Sequence, residues 1–375
     1  MSESSNQMRA LNQLPTDLIE STLPLLPSKS LGRFKSVSKR WNSLISSPDF
    51  IKTHILNYTK NNPNLNPTHL ILVLDDFESL YSLEIKQLNT LTTVTAKSLN
   101  LQVPLVRILG SCNGLLLYSD MDDNLCLVNP ITPKTLKIPE SGRESNDNLY
   151  GFGYDSSTDD YKVISISHMS VSNSDQHSSF VCVYSLRNNS WNMLLPNLPY
   201  YVHYPERSGV PLLNNNLHWL VTRRRSRRTI AAFSLAEEEF HEIGLPDSIN
   251  FVRWMFSKLC ALNGKLVVVL SANSYPPGPE YINELWVMEE YGVHESWKIR
   301  CILEDNMDYD FDFFAQVSNR DILLVKSDVP KISISKYDMD ETRFTSVTVE
   351  VEGCQEEFVV GGTFVETLES FERFR

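Results

Sequence analysis

The chain has 375 residues, a formal net charge of −12 and 42% hydrophobic residues, enough for a small module plus one large all-β unit. No apolar run approaches the roughly 20 residues of a membrane span, and the polar start is unlike a secretory signal, so a soluble protein in cytoplasm and nucleus is expected. Residues 1–60 hold eight Lys or Arg against four Asp or Glu; the strongly acidic remainder has no basic stripe with stacking aromatics, which argues against nucleic acid as a partner.

Residues 1–13 are expected to be a flexible start. Leu14, Leu18, Ile19, Leu23 and Leu26 then recur at the spacing of one helix face, with Pro24 breaking the helix after Leu23. Ser28 is expected to cap a second helix whose apolar stripe is Leu31, Phe34 and Val37, set between Lys29, Arg33, Lys35 and Lys39. Trp41, Leu44 and Ile45 form a third short face, and Ser47-Pro48 opens a fourth helix carrying Phe50, Ile51 and Ile55. So short a module buries too little apolar surface to stand comfortably alone, so a docking partner is expected, an acidic one given the flanking Lys and Arg residues. Residues 57–67, with five Asn and two Pro, read as a linker.

From residue 68 to 368 helical periodicity gives way to short strands that repeat loosely, with a spacing typical of propeller blades. Four units open on a turn between apolar strands: Cys112-Asn113-Gly114-Leu115, Leu213-Asn214-Asn215-Asn216, Leu262-Asn263-Gly264-Lys265 and Val317-Ser318-Asn319-Arg320. A fifth opens at Gly151-Phe152-Gly153-Tyr154-Asp155 and closes at Trp191. The remnants His69–Leu74, Leu80–Leu88 and Phe358–Leu368 are expected to share one blade, which removes the open edges. The predicted fold is α+β multidomain, a helical module followed by an all-β propeller-like domain of about six blades, with repeated open β-sheets as the alternative and residues 369–375 as a tail.

The first part resembles the F-box, through Leu14-Pro15-Thr16-Asp17-Leu18-Ile19, Leu26-Pro27-Ser28-Lys29-Ser30-Leu31, Arg33-Phe34 to Arg40-Trp41, and Leu44-Ile45 to Phe50-Ile51. The second resembles the kelch-like F-box-associated domain of the large plant F-box family, through Gly110-Ser111-Cys112-Asn113-Gly114-Leu115, Asn129-Pro130-Ile131-Thr132, Gly151 to Asp155, Asp159 to Val163, and Ser190-Trp191. The resemblance implies a substrate receptor of a Skp-cullin-F-box ubiquitin ligase, in a family whose subgroups serve pollen recognition or control of immune receptors. Its implied partners are a Skp-type adaptor, a cullin reached through the adaptor, and a protein target that the motifs do not name. The F-box spans 14–56, and the adaptor face is assigned to Leu14, Pro15, Leu18, Ile19, Leu23, Leu26, Pro27, Leu31, Phe34, Val37, Trp41 and Leu44. A helical cap packed on the larger domain is the bland alternative for the same helices.

For the target, the leading candidates are Arg223, Arg224, Arg225, Arg227 and Arg228, five arginines in six positions at an expected hairpin tip, with Tyr200, Tyr201 and Tyr275 in long loops. Glu237, Glu238 and Glu239 are expected to balance those arginines or meet solvent. The acidic turns Asp120–Asp123 and Asp308–Asp312 lack the spacing of a calcium loop, and the eight His show no metal-ligand pairing. The six cysteines, widely spaced, read as reduced core residues. No catalytic residue, metal site or cofactor is assigned, and the chain is expected not to be an enzyme; a non-ubiquitin scaffold or a glycan-binding propeller are the alternatives.

Overall fold

The computed structural model describes residues 16–374 except 62–67, 75–78, 90, 92, 103–104, 142–147, 171–176, 196–197, 203–209, 224–227, 250–255, 274–280, 306–312, 317–320, 329–330, 339–342 and 352–357. Four helices come first: α1 (Thr16–Thr22), α2 (Ser28–Phe34), α3 (Lys39–Ile45) and α4 (Pro48–Asn61). Pro24 sits in a 3-10 turn, Leu23–Leu25, where its missing donor breaks the α1 ladder as expected. Ser38 and Ser47 cap α3 and α4, their hydroxyls accepting from Trp41 N at 3.1 Å and Phe50 N at 3.3 Å. Ser28 does not cap α2. Pro27 holds the cap position, and the Ser28 hydroxyl leaves the helix to donate to the Glu366 carbonyl at 2.7 Å. The helix α4 also runs to Asn61, into the stretch expected to be linker. Its apolar face, with Phe50 and Ile51 buried, supplies packing that overrides the turn preference of the asparagines.

The β domain contains four separate sheets and one eight-stranded sheet. The separate sheets begin at Leu105, Leu149, Tyr200 and Phe256, and all their strand pairings are antiparallel. The eight-stranded sheet is two four-stranded halves. One comprises Phe313–Gln316, Asp321–Asp328, Lys331–Asp338 and Arg343–Val351; the other comprises Thr93–Gln102, Ser79–Glu84, His69–Leu74 and Phe358–Phe364. They join where Thr348–Val351 runs parallel to Thr93–Ala96. Counting those halves separately gives six units. Strands of successive units touch in turn round a closed ring, from Phe358–Phe364 through Leu105–Cys112, Leu149–Asp155, Asn216–Arg223, Phe256–Leu262 and Phe313–Gln316 back to the first. The domain is therefore a propeller, closed by His69–Leu74 pairing with Phe358–Phe364 as the two sequence remnants require.

Local sequence explains the blades. Asn113, Asn214, Asn215 and Asn263 have positive φ, as do Gly114 and Gly264, the backbone that two-residue hairpins demand. Apolar side chains then alternate to both faces of each sheet and meet the neighbouring blade. Between the second and third blades, for instance, Leu115, Leu117 and Leu127 pack on Phe152, Tyr161, Val163 and Tyr184. Gly151 and Gly153 serve the next interface, since a Cβ would stand 2.8 Å from the Trp219 ring and 2.5 Å from Leu235.

A buried ion cluster ties the third blade to the fourth. The Lys162 ammonium lies 3.0 Å from Asp155 and 2.8 Å from Glu238, and donates to the Leu235 carbonyl at 2.6 Å. Of the three glutamates expected to balance the arginines or meet solvent, Glu237 and Glu239 are exposed, and half-buried Glu238 pairs with Lys162. Burial opposes ionisation of Asp155, but hydrogen bonds from Ser157, Thr158 and Lys162 outweigh it and hold its carboxyl at about 2. That depressed value contributes stability present above the ordinary carboxylate range and lost as pH falls through about 2. Lys162→Met should destabilise the β domain by about 3–5 kcal/mol by stranding a buried carboxylate. Equilibrium urea unfolding monitored by tryptophan fluorescence tests this, and a change below about 1 kcal/mol would refute it.

The segment expected to be a tail is instead part of the core. Phe371 and Phe374 are buried between the second and third blades, and Glu369 is fully buried, accepting from the Tyr161 hydroxyl at 2.9 Å. Asn129 anchors the same stretch by donating to the Thr367 and Glu369 carbonyls at 3.1 and 2.8 Å.

Candidate functional site

The helical module divides into side chains that hold it together and side chains left open. Leu23 and Leu31 are buried with Ile45, Phe50, Ile51 and, from the far end of the chain, Leu368. The expectation that Leu23 and Leu31 face a partner is therefore corrected: the module closes over them. Ile19, Leu26, Phe34, Trp41 and Leu44 are half-buried on the same cluster, Phe34 and Trp41 meeting edge-to-face at 5.3 Å. Pro27 is exposed, and Leu18 and Val37 are open to 55% and 63%. Leu14 and Pro15 lie outside the described residues. Leu25, 63% exposed, was not singled out from the sequence, because the break at Pro24 interrupts the periodicity that would have drawn attention to it.

The module is fastened to the propeller through residues 366–368. Glu366 takes the Lys29 ammonium at 2.6 Å and faces His69 Nε2 at 3.3 Å. Burial lowers the His69 pKa, and the Glu366 carboxylate opposes that shift. His54 Nε2 lies 3.0 Å from the Leu26 carbonyl, and burial lowers its pKa as well. Lys52 adds an ion pair to Asp159 at 3.9 Å. The attached end of the propeller therefore includes His69, the Asn113 turn, which accepts from Thr367 Oγ1 at 2.6 Å, and the Asp155–Asp160 turn.

Antiparallel strands place the alternate connections at the opposite end of the blades. That end holds the 121–124 turn, residues 138–141 with Asn148, and the strand ends Arg223 and Arg228. Asn216–Arg223 and Arg228–Ser234 form the hairpin with Thr222 opposite Arg228, as expected. The structure also brings two sets of candidates together, since Tyr200 pairs with Arg223 and Tyr201 with Thr222 along the backbone. The Tyr200 hydroxyl donates to Glu242 at 2.7 Å. Arg224, Arg225, Arg227 and Tyr275 lie outside the described residues.

Other groups considered from sequence have structural roles. His218 is buried, with Nδ1 at 3.1 Å from the Pro211 carbonyl and Nε2 at 2.8 Å from the Tyr291 hydroxyl, and burial lowers its pKa to about 4. Asp120 accepts from Asp122 N at 2.9 Å and Asn124 N at 2.8 Å, which makes its acidic turn self-satisfied. The second acidic cluster, Asp308–Asp312, lies in an undescribed stretch. Burial pushes the Cys112 and Cys260 thiols up to about 12, far from a reactive thiolate. No described helix is long and apolar enough to cross a membrane.

The same division appears on comparison with known families: the F-box domain matches residues 11–53, and the F-box associated beta propeller domain matches residues 69–371. The chain belongs to the F-box proteins. An F-box/kelch-repeat protein of Arabidopsis thaliana is 31% identical over 309 residues, covering 79% of this chain and 81% of that one. F-box protein CPR1 of the same plant is 29% identical over 76% of this F-box protein and 71% of its own length. Among solved structures, a putative TolB from Agrobacterium tumefaciens covers 75% of this chain and 88% of its own at a TM-score of 0.40 and 11% identity, too distant to inform activity.

Proposed function

We propose that this F-box protein is the substrate receptor of a Skp-cullin-F-box ubiquitin ligase. The F-box docks on a Skp-type adaptor and reaches the cullin through it; the far end of the propeller holds a protein target for ubiquitination and degradation. The observation that carries this reading is the placement of the two ends: the helical module is fixed to one end of the blades through Glu366 and Leu368, and the arginine hairpin stands at the other. The mechanism is positional. A target held on the propeller meets the charged conjugating enzyme at raised effective concentration, so no residue of this chain forms a covalent intermediate. The work is assigned to cytoplasm and nucleus.

Proximity labelling with the F-box deleted would capture targets that the intact receptor destroys. Targets of this receptor should be labelled more strongly by the deleted form and should accumulate when the intact protein is depleted. Co-purification with the adaptor but never with a cullin would replace the ligase reading with a scaffold, and failure to bind any Skp-type adaptor would overturn it.

A further inference from the structure

At the end of the propeller away from the F-box, the interface between the second and third blades opens into a cleft of about 360 Å³. Its floor is the end of the apolar seam, Leu109, Leu125 and Ile138. Its walls are aromatic. Trp191 comes from the outer strand of the third blade, with its indole N–H fixed on the Pro139 carbonyl at 2.6 Å, and Tyr150 from the inner strand. Among the described lining residues the carboxylates belong to Asp122 and Asp123 in one turn and Glu140 after the last strand of the second blade, and Arg107 is the one cation.

We propose that this cleft receives an arginine or lysine side chain of the target, a specificity site that rests on the receptor reading above. A basic side chain is the occupant that matches both the aromatic walls and the acidic rim. Its aliphatic stem lies along the Trp191 and Tyr150 rings while its charged head reaches the carboxylates. Among the described lining residues an acidic or phosphorylated group would meet three carboxylates against one arginine. Arginine fits better than lysine, because its planar fork can stack on the indole and bond two carboxylates together.

The test uses the full chain in complex with its adaptor, titrated with N-acetyl-L-arginine amide and its neutral isostere N-acetyl-L-citrulline amide by ligand-observed NMR. The arginine compound should bind at least about tenfold more tightly than the citrulline compound. The triple variant Asp122→Asn/Asp123→Asn/Glu140→Gln should erase the difference, and Glu237→Gln/Glu239→Gln/Glu295→Gln, which removes as many charges elsewhere, should retain it. Equal binding of the two compounds, no binding of the arginine compound, or a preference that survives in the cleft variant would each overturn the proposal. Those results with normal adaptor capture would remove only the cleft; loss of adaptor capture by the unaltered protein would remove the receptor reading itself.

Discussion

A chain stopped after Leu368 is expected to melt about 10 °C or more below the longer protein, although the sequence marks the missing residues as a tail. The deletion removes Phe371 and Phe374 from the seam between the second and third blades, where both are buried. Truncating one buried Phe costs about 3–5 kcal/mol, and in a large domain each kcal/mol shifts the midpoint by about 2–4 °C. It also removes buried Glu369, leaving the Tyr161 hydroxyl and one Asn129 N–H bond without acceptors. Because Asn129 and Tyr161 hold the stretch that places Leu368 in the F-box core, adaptor affinity should fall together with stability. Phe371→Ala/Phe374→Ala, which keeps the backbone and Glu369, should show most of the loss in melting temperature and less of the loss in affinity. A truncated protein with an unchanged midpoint in differential scanning calorimetry would restore the tail reading.

The second large effect separates surface from core within the F-box. Leu18→Asp/Val37→Asp should weaken capture of a purified Skp-type adaptor by at least about 30-fold, since both side chains are open to solvent and charges there oppose an apolar interface. The melting temperature should stay within about 2 °C, as expected for exposed positions. Leu31→Ala should act differently. Leu31 is fully buried, so the change leaves a cavity costing about 2–5 kcal/mol, and affinity falls because the module loosens. Isothermal titration calorimetry with limited proteolysis distinguishes the two routes. If the Leu18/Val37 variant bound as tightly as the unaltered protein, the docking face would have to be sought elsewhere on the helices.

How far the sequence could be read depended on whether its signals were local. The hairpin openings were legible because Asn113-Gly114 and Asn263-Gly264 encode a backbone conformation in two adjacent residues. The pairing of the His69 strand with Phe358–Phe364 was legible for another reason: leftover strands in a repeat array have to close a ring. The orientation of Leu31 was not, because a short helix with apolar residues on most of its turns does not say which of them its own module buries. That depends on Leu368, which lies far away in sequence. The pairing of Glu238 with Lys162 was not legible for the same reason, since the two are neighbours in space and far apart along the chain. The cleft at Trp191 was invisible for a further reason, since its walls come from two blades and no single motif carries them.

The placement of Leu368 also has a consequence for synthesis. A chain emerging from the ribosome completes its F-box helices first, yet their core lacks a member until residue 368 has been made, after every blade. The first blade waits equally long, because its inner strand is Phe358–Phe364. Nascent and prematurely terminated chains would therefore carry F-box helices with an unfinished core.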